Sequence, residues 1–458
     1  MTRTSILWFR QDLRLTDHPA LTAAIAEGAV VPVYILDDEA PGDWSIGGAQ
    51  RWWLHHSLTA LDASLRKRGS RLVLRRGAAA AELEKIMIET GARHVLATRC
   101  YEPWWKRIDA ALSARADLVL HDGNYLAPPS AITNMSGERY RVFTPWYRRL
   151  LERMPPALPL PAPDRIAGPE LWPESEGLST WRLTPTGPDW TSGFGAWVPG
   201  EKGALRALRD WLPAAGDYKT DRDYPARPAT SRLSPHLHFG EISPRTLWHA
   251  LGDRDDPGAE AFRSEIGWRE HGLNLVDQMP DYGERNGRAP FDRFPWRTGA
   301  AADRDFRAWC RGRTGYPVVD AGMRELWSTG WMHNRVRMIT ASFLVKHLLI
   351  DWRRGERRFW DTLLDADFGS NAMNWQYVAG TGVDAPVFSR IMSPLLQCEK
   401  FAMGDYVRAF VPELSRLGDS EIAAMHGGGA GIVGYPAPLV GHQEARSRAL
   451  AAWESLRA

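Results

Sequence analysis

The sequence predicts an α/β N-terminal domain with a Rossmann-like parallel sheet, followed by a large all-α domain. Three observations predict this division. Short apolar runs alternate with helical patterns up to about residue 125, a proline-rich stretch extends from about 155 to 200, and almost no strand pattern remains beyond 201. Alternating strands and helices are typical of a parallel sheet covered by helices. We therefore expect three regions, residues 1–130, 131–200 and 201–458.

Each expected element follows from local periodicity. Runs rich in apolar and β-branched residues predict strands at Ser5–Phe9, Val30–Leu36, Arg71–Leu74, His94–Thr98 and Leu118–His121. Helical patterns lie between them at Ala20–Glu27, Trp52–Arg68 and Ala79–Glu89. Beyond residue 201 the same pattern predicts helices at Lys202–Leu212, Ala261–Asp277, Ala321–Ile350 and Glu356–Leu364. Prolines between 155 and 199 predict an extended connector across the surface.

Composition excludes several classes of protein. The three cysteines, Cys100, Cys310 and Cys398, are far apart, which argues against a disulfide framework and against a cysteine-ligated metal site. The longest apolar run, Met338–Ile350, contains four polar or charged residues and is too polar to span a bilayer. No apolar leader precedes the first strand. We therefore expect a cytoplasmic protein without membrane association. We also expect a monomer.

Charge is nearly balanced overall but uneven along the chain. The net charge of +2 does not indicate a nucleic-acid-binding protein. Residues 281–313 nevertheless contain eight arginines, namely Arg285, Arg288, Arg293, Arg297, Arg304, Arg307, Arg311 and Arg313. Such a segment suits either phosphate contacts or a solvated charged surface. On its own it favours the interpretation as a solvated surface.

One glycine motif is discounted. Gly429–Gly434 matches the G-x-G-x-x-G pattern of dinucleotide-binding folds. It follows no predicted strand, and Tyr435-Pro436 stands where a helix would begin, so we expect a surface loop. No glycine pattern follows the first strand either, which argues against a nicotinamide-dependent enzyme.

Several segments, in order along the chain, carry a resemblance to a known family. They are Trp8–Arg14, Thr230–Pro235, Phe239–Arg245, Thr314–Arg324, Thr329–Arg335 and Asp365–Gly382. Together these motifs resemble the photolyase/cryptochrome family, in particular the bacterial class I and class III photolyases for cyclobutane pyrimidine dimers. The resemblance covers essentially the whole chain. It implies an α/β antenna domain, a long linker and a helical domain that binds flavin adenine dinucleotide (FAD).

The resemblance also implies the FAD-binding residues. The hydroxyl groups of Thr230, Ser231 and Ser234 would hold the diphosphate, although from the residues alone this segment equally suits a helix cap. Asn371 would face the flavin N5, where an amide can donate and accept hydrogen bonds. Plant-type cryptochromes carry an acid there, so asparagine favours repair. The full implied set is Tyr218, Thr230, Ser231, Arg232, Leu233, Ser234, Phe262, Arg335, Asp365, Ala366, Asp367 and Asn371.

The implied activity is light-driven repair of cyclobutane dimers in DNA, a carbon–carbon lyase reaction on a flipped-out substrate. Glu265 and Trp268, three residues apart on one helix face, match an acid and a stacking tryptophan of the dimer pocket, although a surface acid beside a core tryptophan has the same spacing. The (6-4) photolyases carry histidines matching Asn334 and Met338, so these residues argue against that chemistry. The implied catalytic set is Glu265, Trp268, Asn334, Met338 and Asn371.

Two further sets follow from the resemblance. Residues implied to contact DNA near the lesion are Arg222, Arg269, Arg335, Tyr377, Arg390 and Gln397. Trp375, Trp352 and Trp296 match a chain of tryptophans that conducts electrons to the flavin from the surface. Core packing alone would explain each of these tryptophans equally well.

Two questions stay open at the level of sequence. Trp104 and Trp105 suit stacking on a pterin, and we expect a methenyltetrahydrofolate antenna, with a deazaflavin or no antenna as alternatives. Tyr377 and the following Val378–Gly382 resemble class III photolyases and plant cryptochromes. A blue-light photoreceptor of the cryptochrome type, without repair activity, is therefore the alternative function.

Overall fold

The N-terminal part contains one sheet of five parallel strands in the order β3-β2-β1-β4-β5. The computed structural model describes residues 3–425 and 432–456. The strands are β1 Arg3–Phe9, β2 Gly28–Leu36, β3 Val73–Arg76, β4 His94–Thr98 and β5 Asp117–His121. All five lie within two residues of their predicted starts. Ile6 and Trp8 of the central strand pack into one core and Leu7 and Phe9 into the other, which explains why β1 is apolar throughout.

Helices cover both faces of this sheet. They are α1 Pro19–Glu27, α2 Gly48–Arg66, α3 Ala79–Thr90 and α4 Pro103–Ser113. Pro19 begins α1, where a missing N–H group is tolerated, and His18 caps it by accepting from the Leu21 N–H at 3.1 Å. The predicted α/β architecture is confirmed.

Beyond residue 201 the regular structure of the described chain is helical, as predicted, and one further helix precedes this region. The helices are α5 Phe143–Leu151, which is the preceding one, α6 Glu201–Trp211, α7 Tyr218–Asp221, α8 Ser234–His238, α9 Pro244–Ala250, α10 Pro257–Gln278, α11 Gly299–Cys310, α12 Pro317–Thr329, α13 Asn334–Ser342, α14 Trp352–Thr362, α15 Phe368–Ala379, α16 Pro394–Lys400, α17 Gly404–Phe410, α18 Asp419–Ala423 and α19 His442–Glu454. Among the described residues, no helix is long and apolar enough to cross a membrane.

The single helix predicted over 321–350 is wrong in its continuity. Helix α12 ends where Gly330 adopts a left-handed conformation with φ of 68° and donates to the Leu326 carbonyl. Helix α13 starts four residues later, with His333 accepting from the Arg335 N–H. A π-helical turn, Phe343–His347, then follows directly. Apolar residues continue across both irregularities, so periodicity alone does not reveal them.

The region between the two parts begins with a helix that precedes the predicted extended connector. This helix is α5, whose Phe143 stacks on Trp268 of α10 with ring centroids 3.6 Å apart. Beyond α5 the chain is extended, as its prolines predict. The Val30 N–H donates to the Ala167 carbonyl and the Ile166 N–H donates to the Arg68 carbonyl. The connector therefore packs against the α/β part.

Half of the predicted surface loop at Gly429–Gly434 falls outside the described residues. Gly429, Ala430 and Gly431 belong to the part of the chain that is not described. Gly434 lies in a turn with φ of 88°.

A few buried polar groups join the α/β part to the helical part. The Arg14 guanidinium is buried and donates to the Asn124 side chain and to the Gly240 carbonyl, both at 2.9 Å. Glu241, fully buried, accepts from the Trp53 indole at 2.9 Å. The Leu13 N–H donates to the Phe239 carbonyl at 3.0 Å. Residues 239–241 are thus held from both sides.

A close backbone approach at Gly240 allows this junction. Gly240 has φ of 64°, and a Cβ added there would lie 1.9 Å from the Gln11 carbonyl oxygen. We predict that Gly240→Ala lowers the free energy of unfolding by roughly 3 kcal/mol or more. A residue with a side chain costs ~1–2 kcal/mol in the left-handed conformation, and the clash with the Gln11 carbonyl adds to that cost. Gly91→Ala is the matched control, since Gly91 has φ of 67° and open space around it. Equal losses in the two variants, measured by urea denaturation, would contradict the account.

The same junction makes stability depend on pH. Glu270 of α10 accepts from the Leu126 N–H at 3.0 Å, and burial raises the pKa of its carboxyl group to about 8. Its folded pKa therefore exceeds its unfolded value, so its contribution is present at low pH and is lost as the pH rises toward and through 8. We predict that the wild type loses more unfolding free energy between pH 5.5 and 8.5 than Glu270→Gln does. Parallel curves for the two proteins would count against this role for Glu270.

Candidate active site

Two adjoining cavities lie within the helical part. The larger, about 260 Å³, is bounded by the 218–238 segment, α10, α13 and α15, and the smaller, about 90 Å³, by α13, α14 and α15. They share a wall made of Asn334, Arg337, Asp365, Asp367, Ser370 and Asn374. Because of this common wall, we treat them as one site, the central cavity.

The central cavity gathers nearly every residue expected to bind FAD. The larger section is lined by Tyr218, Thr230, Ser231, Arg232, Leu233, Ser234, Phe262, Asp365 and Asp367. The smaller section is lined by Asp365, Ala366, Asp367 and Asn371. Only Arg335 of the expected set is missing from both.

Arg335 lies on a different side of α13. Asn334, Arg337, Met338 and Ala341, spaced by three and four residues, line the cavity. Arg335 instead pairs with Asp223 at 2.6 Å and places its guanidinium 4.6 Å from the Phe401 ring. The structure therefore does not support the expected contact of Arg335 with the cofactor. Arg337 lines both sections instead, and helical periodicity counted from Asn334 would have found it.

The 230–234 segment presents hydroxyl groups to the cavity. Within the described chain, the side chains of Thr230 and Ser234 make no hydrogen bond, and Ser231 accepts weakly from the Leu233 N–H at 3.4 Å. Arg232 has φ of 52°, and its guanidinium lies 4.7 Å from the Trp331 ring. Hydroxyl donors next to arginines suit the oxygens of a diphosphate. These residues therefore fit the group that FAD would place here.

Two buried polar atoms in the cavity wall have no hydrogen-bond partner among the described residues. They are Asp365 Oδ1 and His238 Nδ1. The other Asp365 oxygen accepts from Arg337 at 2.8 Å, and burial lowers the pKa of His238 to about 4, so its ring is neutral. Buried polar atoms are almost always paired in folded proteins. Their position in the wall is what a polar cofactor such as FAD requires.

Asn371 lines the smaller section, and its orientation is set by α14. Its side-chain N–H group donates to the Glu356 carbonyl at 3.1 Å, which leaves the amide oxygen to accept a hydrogen bond from a ligand. The Glu356 carboxyl group is fully buried without a partner among the described residues, and burial raises its pKa well above the usual range. Glu356 is therefore protonated and adds no negative charge near Asn371.

Glu265 and Trp268 both line the larger section, one turn apart on α10. The Glu265 carboxylate contacts the Arg222 guanidinium, so it forms an ion pair and is not an isolated acid in an apolar pocket. Trp268 stacks on Phe143, with ring planes 9° apart. This packing holds one face of the indole and leaves the opposite face to a planar ligand. The alternative of a surface acid beside a core tryptophan does not describe this pair.

The three tryptophans expected to conduct electrons are not in direct ring contact. Trp375 lines the cavity and contacts Phe359 and Trp309 edge-on. Trp352 is fully buried, and its indole donates to Asn286 at 3.0 Å. Trp296 is half-buried against Phe294. Within the described chain no ring contact joins Trp352 to either of the others, so their order stays a prediction.

Of the six residues expected to contact DNA, Arg335 pairs with Asp223 as described above, and the other five occupy three kinds of position. Arg222 lines the mouth of the cavity, and Arg390 is exposed without an ion pair among the described residues. Arg269 is oriented inward, donating to the Asn124 and Leu237 carbonyls and lying 4.6 Å from the Tyr125 ring. This placement suits anchoring of the wall and not a direct strand contact. Tyr377 and Gln397 are half-buried outside the cavity lining.

Sequence reasoning missed several residues of the wall. Besides Arg337, these are Leu237, His238, Ile266, Trp331, Met332, Ser370, Met373 and Asn374. Ser370, Met373 and Asn374 are spaced as one face of α15, a signal that the sequence contains. Trp331 and Met332 lie in the break between α12 and α13, so the predicted continuous helix hid them.

A third cavity, about 60 Å³, lies where the α/β part meets the helical part. Its wall includes Arg10, Trp44, Trp104, Trp105 and Trp360. Trp105 contacts Trp8 edge-on, and the Arg10 guanidinium lies 4.7 Å from the Trp8 ring. The tryptophans expected to hold an antenna, Trp104 and Trp105, therefore lie together in a cavity that meets the central cavity at His238.

Comparison with known proteins agrees with this layout. The family described as "DNA photolyase" matches residues 5–164, and "FAD binding domain of DNA photolyase" matches residues 262–455. A deoxyribodipyrimidine photo-lyase of Agrobacterium fabrum is 48% identical, over 100% of this chain and 98% of its own. Cryptochrome-1 of Arabidopsis thaliana is 36% identical, over 97% of this chain and 69% of its own.

A solved structure gives the same result. A bacterial class III photolyase from Agrobacterium tumefaciens superposes with a TM-score of 0.95 at 48% identity, covering 100% of this chain and 98% of that one. The order of motifs, the two-part fold and the central cavity all agree with these matches. The chain belongs to the photolyase/cryptochrome family.

Proposed function

We propose that this protein is a deoxyribodipyrimidine photo-lyase that repairs cyclobutane pyrimidine dimers in DNA under light. The observation that carries the proposal is the central cavity. Its two sections are lined by Glu265, Trp268, Asn334 and Met338 together with the FAD-binding set other than Arg335. The relative at 48% identity bears that enzyme's name. When bound, reduced FAD supplies the photoexcited electron that opens the dimer.

The residues of this chain would bind and orient the substrate. A flipped-out dimer would stack on the free face of Trp268, which Phe143 holds from behind. Glu265 and Arg222 together would offer an acceptor and a donor to the pyrimidine edges. Asn334 would add an amide, and Met338 would add apolar contact, at the boundary between the two sections.

Other residues would bind the cofactor or set the charge around it. The Asn371 amide oxygen would accept a hydrogen bond from an N–H group of the cofactor, because the Asn371 N–H group already donates to the Glu356 carbonyl. Arg337 would keep a positive charge against the ring system while paired with Asp365. We keep Trp375, Trp352 and Trp296 as a proposed route for electrons from the surface. Arg390, Tyr377 and Gln397 are proposed contacts to the strand, through which binding would weaken with salt.

The antenna and the division of the chain are further proposals. We propose methenyltetrahydrofolate between residues 1–130 and the helical part, supported by the indole rings of Trp104 and Trp105. At about 60 Å³ this cavity is narrower than most ligand sites, so side chains must move to admit a folate. Residues 131–200 would serve as linker and 201–458 as the FAD-binding domain. We also propose a cytoplasmic monomer, which would meet its DNA substrate directly.

The cryptochrome-type receptor is the competing function. It is favoured by the 36% identity to Cryptochrome-1 and by the class III-like sequence around Tyr377. Repair is the better-supported function because the Glu265–Trp268 pair lines the cavity, where a receptor without repair has no need of it.

The dimer-binding role of Glu265 has a direct test. We predict that Glu265→Ala reduces repair of a dimer-containing oligothymidine about tenfold, since a hydrogen bond to a charged group contributes ~1.5–3 kcal/mol. Repair is followed by recovery of thymine absorbance at saturating substrate, and substrate affinity is measured separately. Glu260→Ala, an exposed acid on the same helix, is the matched control. If both variants repair like the wild type, Glu265 has no part in the reaction.

Arg337 and Arg335 of α13 are expected to differ in their effect on FAD binding, because only Arg337 lines the central cavity. We predict that Arg337→Ala lowers the FAD content of the purified protein. It should also lower the free energy of unfolding by about 3 kcal/mol, because the buried Asp365 carboxylate loses its partner. Arg335→Ala, which breaks an ion pair on the same helix outside the cavity, should retain FAD. FAD per chain is read from visible absorbance. Loss of FAD in Arg335→Ala but not in Arg337→Ala would restore the assignment expected from sequence.

A further inference from the structure

The structure separates the arginines of residues 281–313 by their partners. Three of them are engaged: Arg285 pairs with Asp281, Arg288 donates to two backbone carbonyls, and Arg297 pairs with Asp305. Within the described chain, Arg304, Arg307 and Arg311 form no ion pair. Their spacing of three and four residues aligns them along one side of α11 and its C-terminal end.

Arg307 and Arg311 open onto a cavity of about 660 Å³ that shares no lining residue with the central cavity. Arg324 and Trp327 of α12, Arg358 of α14 and Phe410 of α17 form its other walls. Among the described residues, four guanidinium groups and no acidic side chain line this cavity. We name it the arginine cavity.

Part of its positive charge is already balanced. Arg324 forms a two-pronged hydrogen bond with Glu413 at 2.7 and 3.0 Å, and Arg358 lies 3.6 Å from Asp361. The Arg358 Nε is buried and has no hydrogen-bond partner among the described residues. Arg307 and Arg311 add two unbalanced, exposed charges. The cavity therefore favours an anion with at least two negative charges.

The wall also offers an aromatic surface. The Trp327 side chain is 50% exposed, which is unusual for so large an apolar group. The Arg358 guanidinium lies 5.1 Å from its ring, and Trp190 lies 6.2 Å away at 33°. An indole supported in this way suits stacking with a planar ring.

We propose that the arginine cavity binds a nucleoside phosphate, with the base against Trp327 and the phosphates on Arg307 and Arg311. Arginines pair with phosphate oxygens through two parallel hydrogen bonds, and bases stack on exposed indoles. The volume lies in the range of about 300–1,000 Å³ that small-molecule sites occupy. The arginines surround a concave space and do not follow an open track, which favours a mononucleotide over a nucleic-acid strand.

The test uses the protein loaded with FAD, so that the FAD-binding part of the central cavity is occupied, and titrates ADP by calorimetry. We expect ADP to bind, and Arg307→Ala/Arg311→Ala to weaken its binding at least about tenfold. Arg293→Ala/Arg304→Ala removes the same charge from the same segment outside the cavity and should leave ADP binding unchanged. Trp327→Ala should weaken ADP but not inorganic pyrophosphate, because only ADP carries a base.

Three results would overturn the proposal. ADP does not bind the wild type, or it binds Arg307→Ala/Arg311→Ala as tightly as the control. Alternatively, an undamaged oligothymidine binds through Arg307 and Arg311 while ADP does not, which would make the cavity a strand contact. Circular dichroism of each variant separates loss of binding from loss of fold. Repair activity should be equal in all variants, since none of these residues lines the central cavity.

Discussion

The ion pair between Arg337 and Asp365 is the interaction on which the site depends. It joins two chain segments 28 residues apart at 2.8 Å, with the carboxylate almost fully buried. The same guanidinium donates from Nε to the Met332 carbonyl at 2.7 Å, which fixes the break between α12 and α13. One side chain thus sets the positions of Asn334 and Met338 on one wall and of Asn371 on the other. A buried carboxylate without this partner would destabilise both walls.

The sheet contributes to the site indirectly. Its loops reach the helical part through Arg14, which donates to the Gly240 carbonyl, and through Asn124, whose carbonyl accepts from Arg269 beneath the cavity. Gln50 of α2 contacts His238, which itself lines the central cavity. The α/β part therefore supports the wall from below, and the reaction site belongs to the helices. This arrangement explains why no glycine-rich phosphate loop follows β1, although the sheet is of the type that often carries one.

Much of this architecture was predictable from the residues, and the exceptions have physical reasons. Strands such as β1 and β2 are apolar on both faces because helices cover both, so their limits are clear in the sequence. The break at Gly330 was missed because apolar residues continue through it. Arg335 and Arg337 differ by about 200° around the helix axis, a distinction that a matched motif does not make. The engagement of Arg269 and the stacking of Phe143 on Trp268 join segments distant in sequence and required the fold.

Repair and light sensing share this fold, so the distinction between them depends on the substrate-binding wall. The most direct measurement is light-dependent recovery of thymine absorbance in an oligothymidine carrying cyclobutane dimers, with purified reduced protein, against a dark control. The account predicts recovery that requires blue light and proceeds through many turnovers per protein molecule. A protein that binds FAD and responds to light but restores no thymine would contradict it, and would make the receptor the better account of this chain.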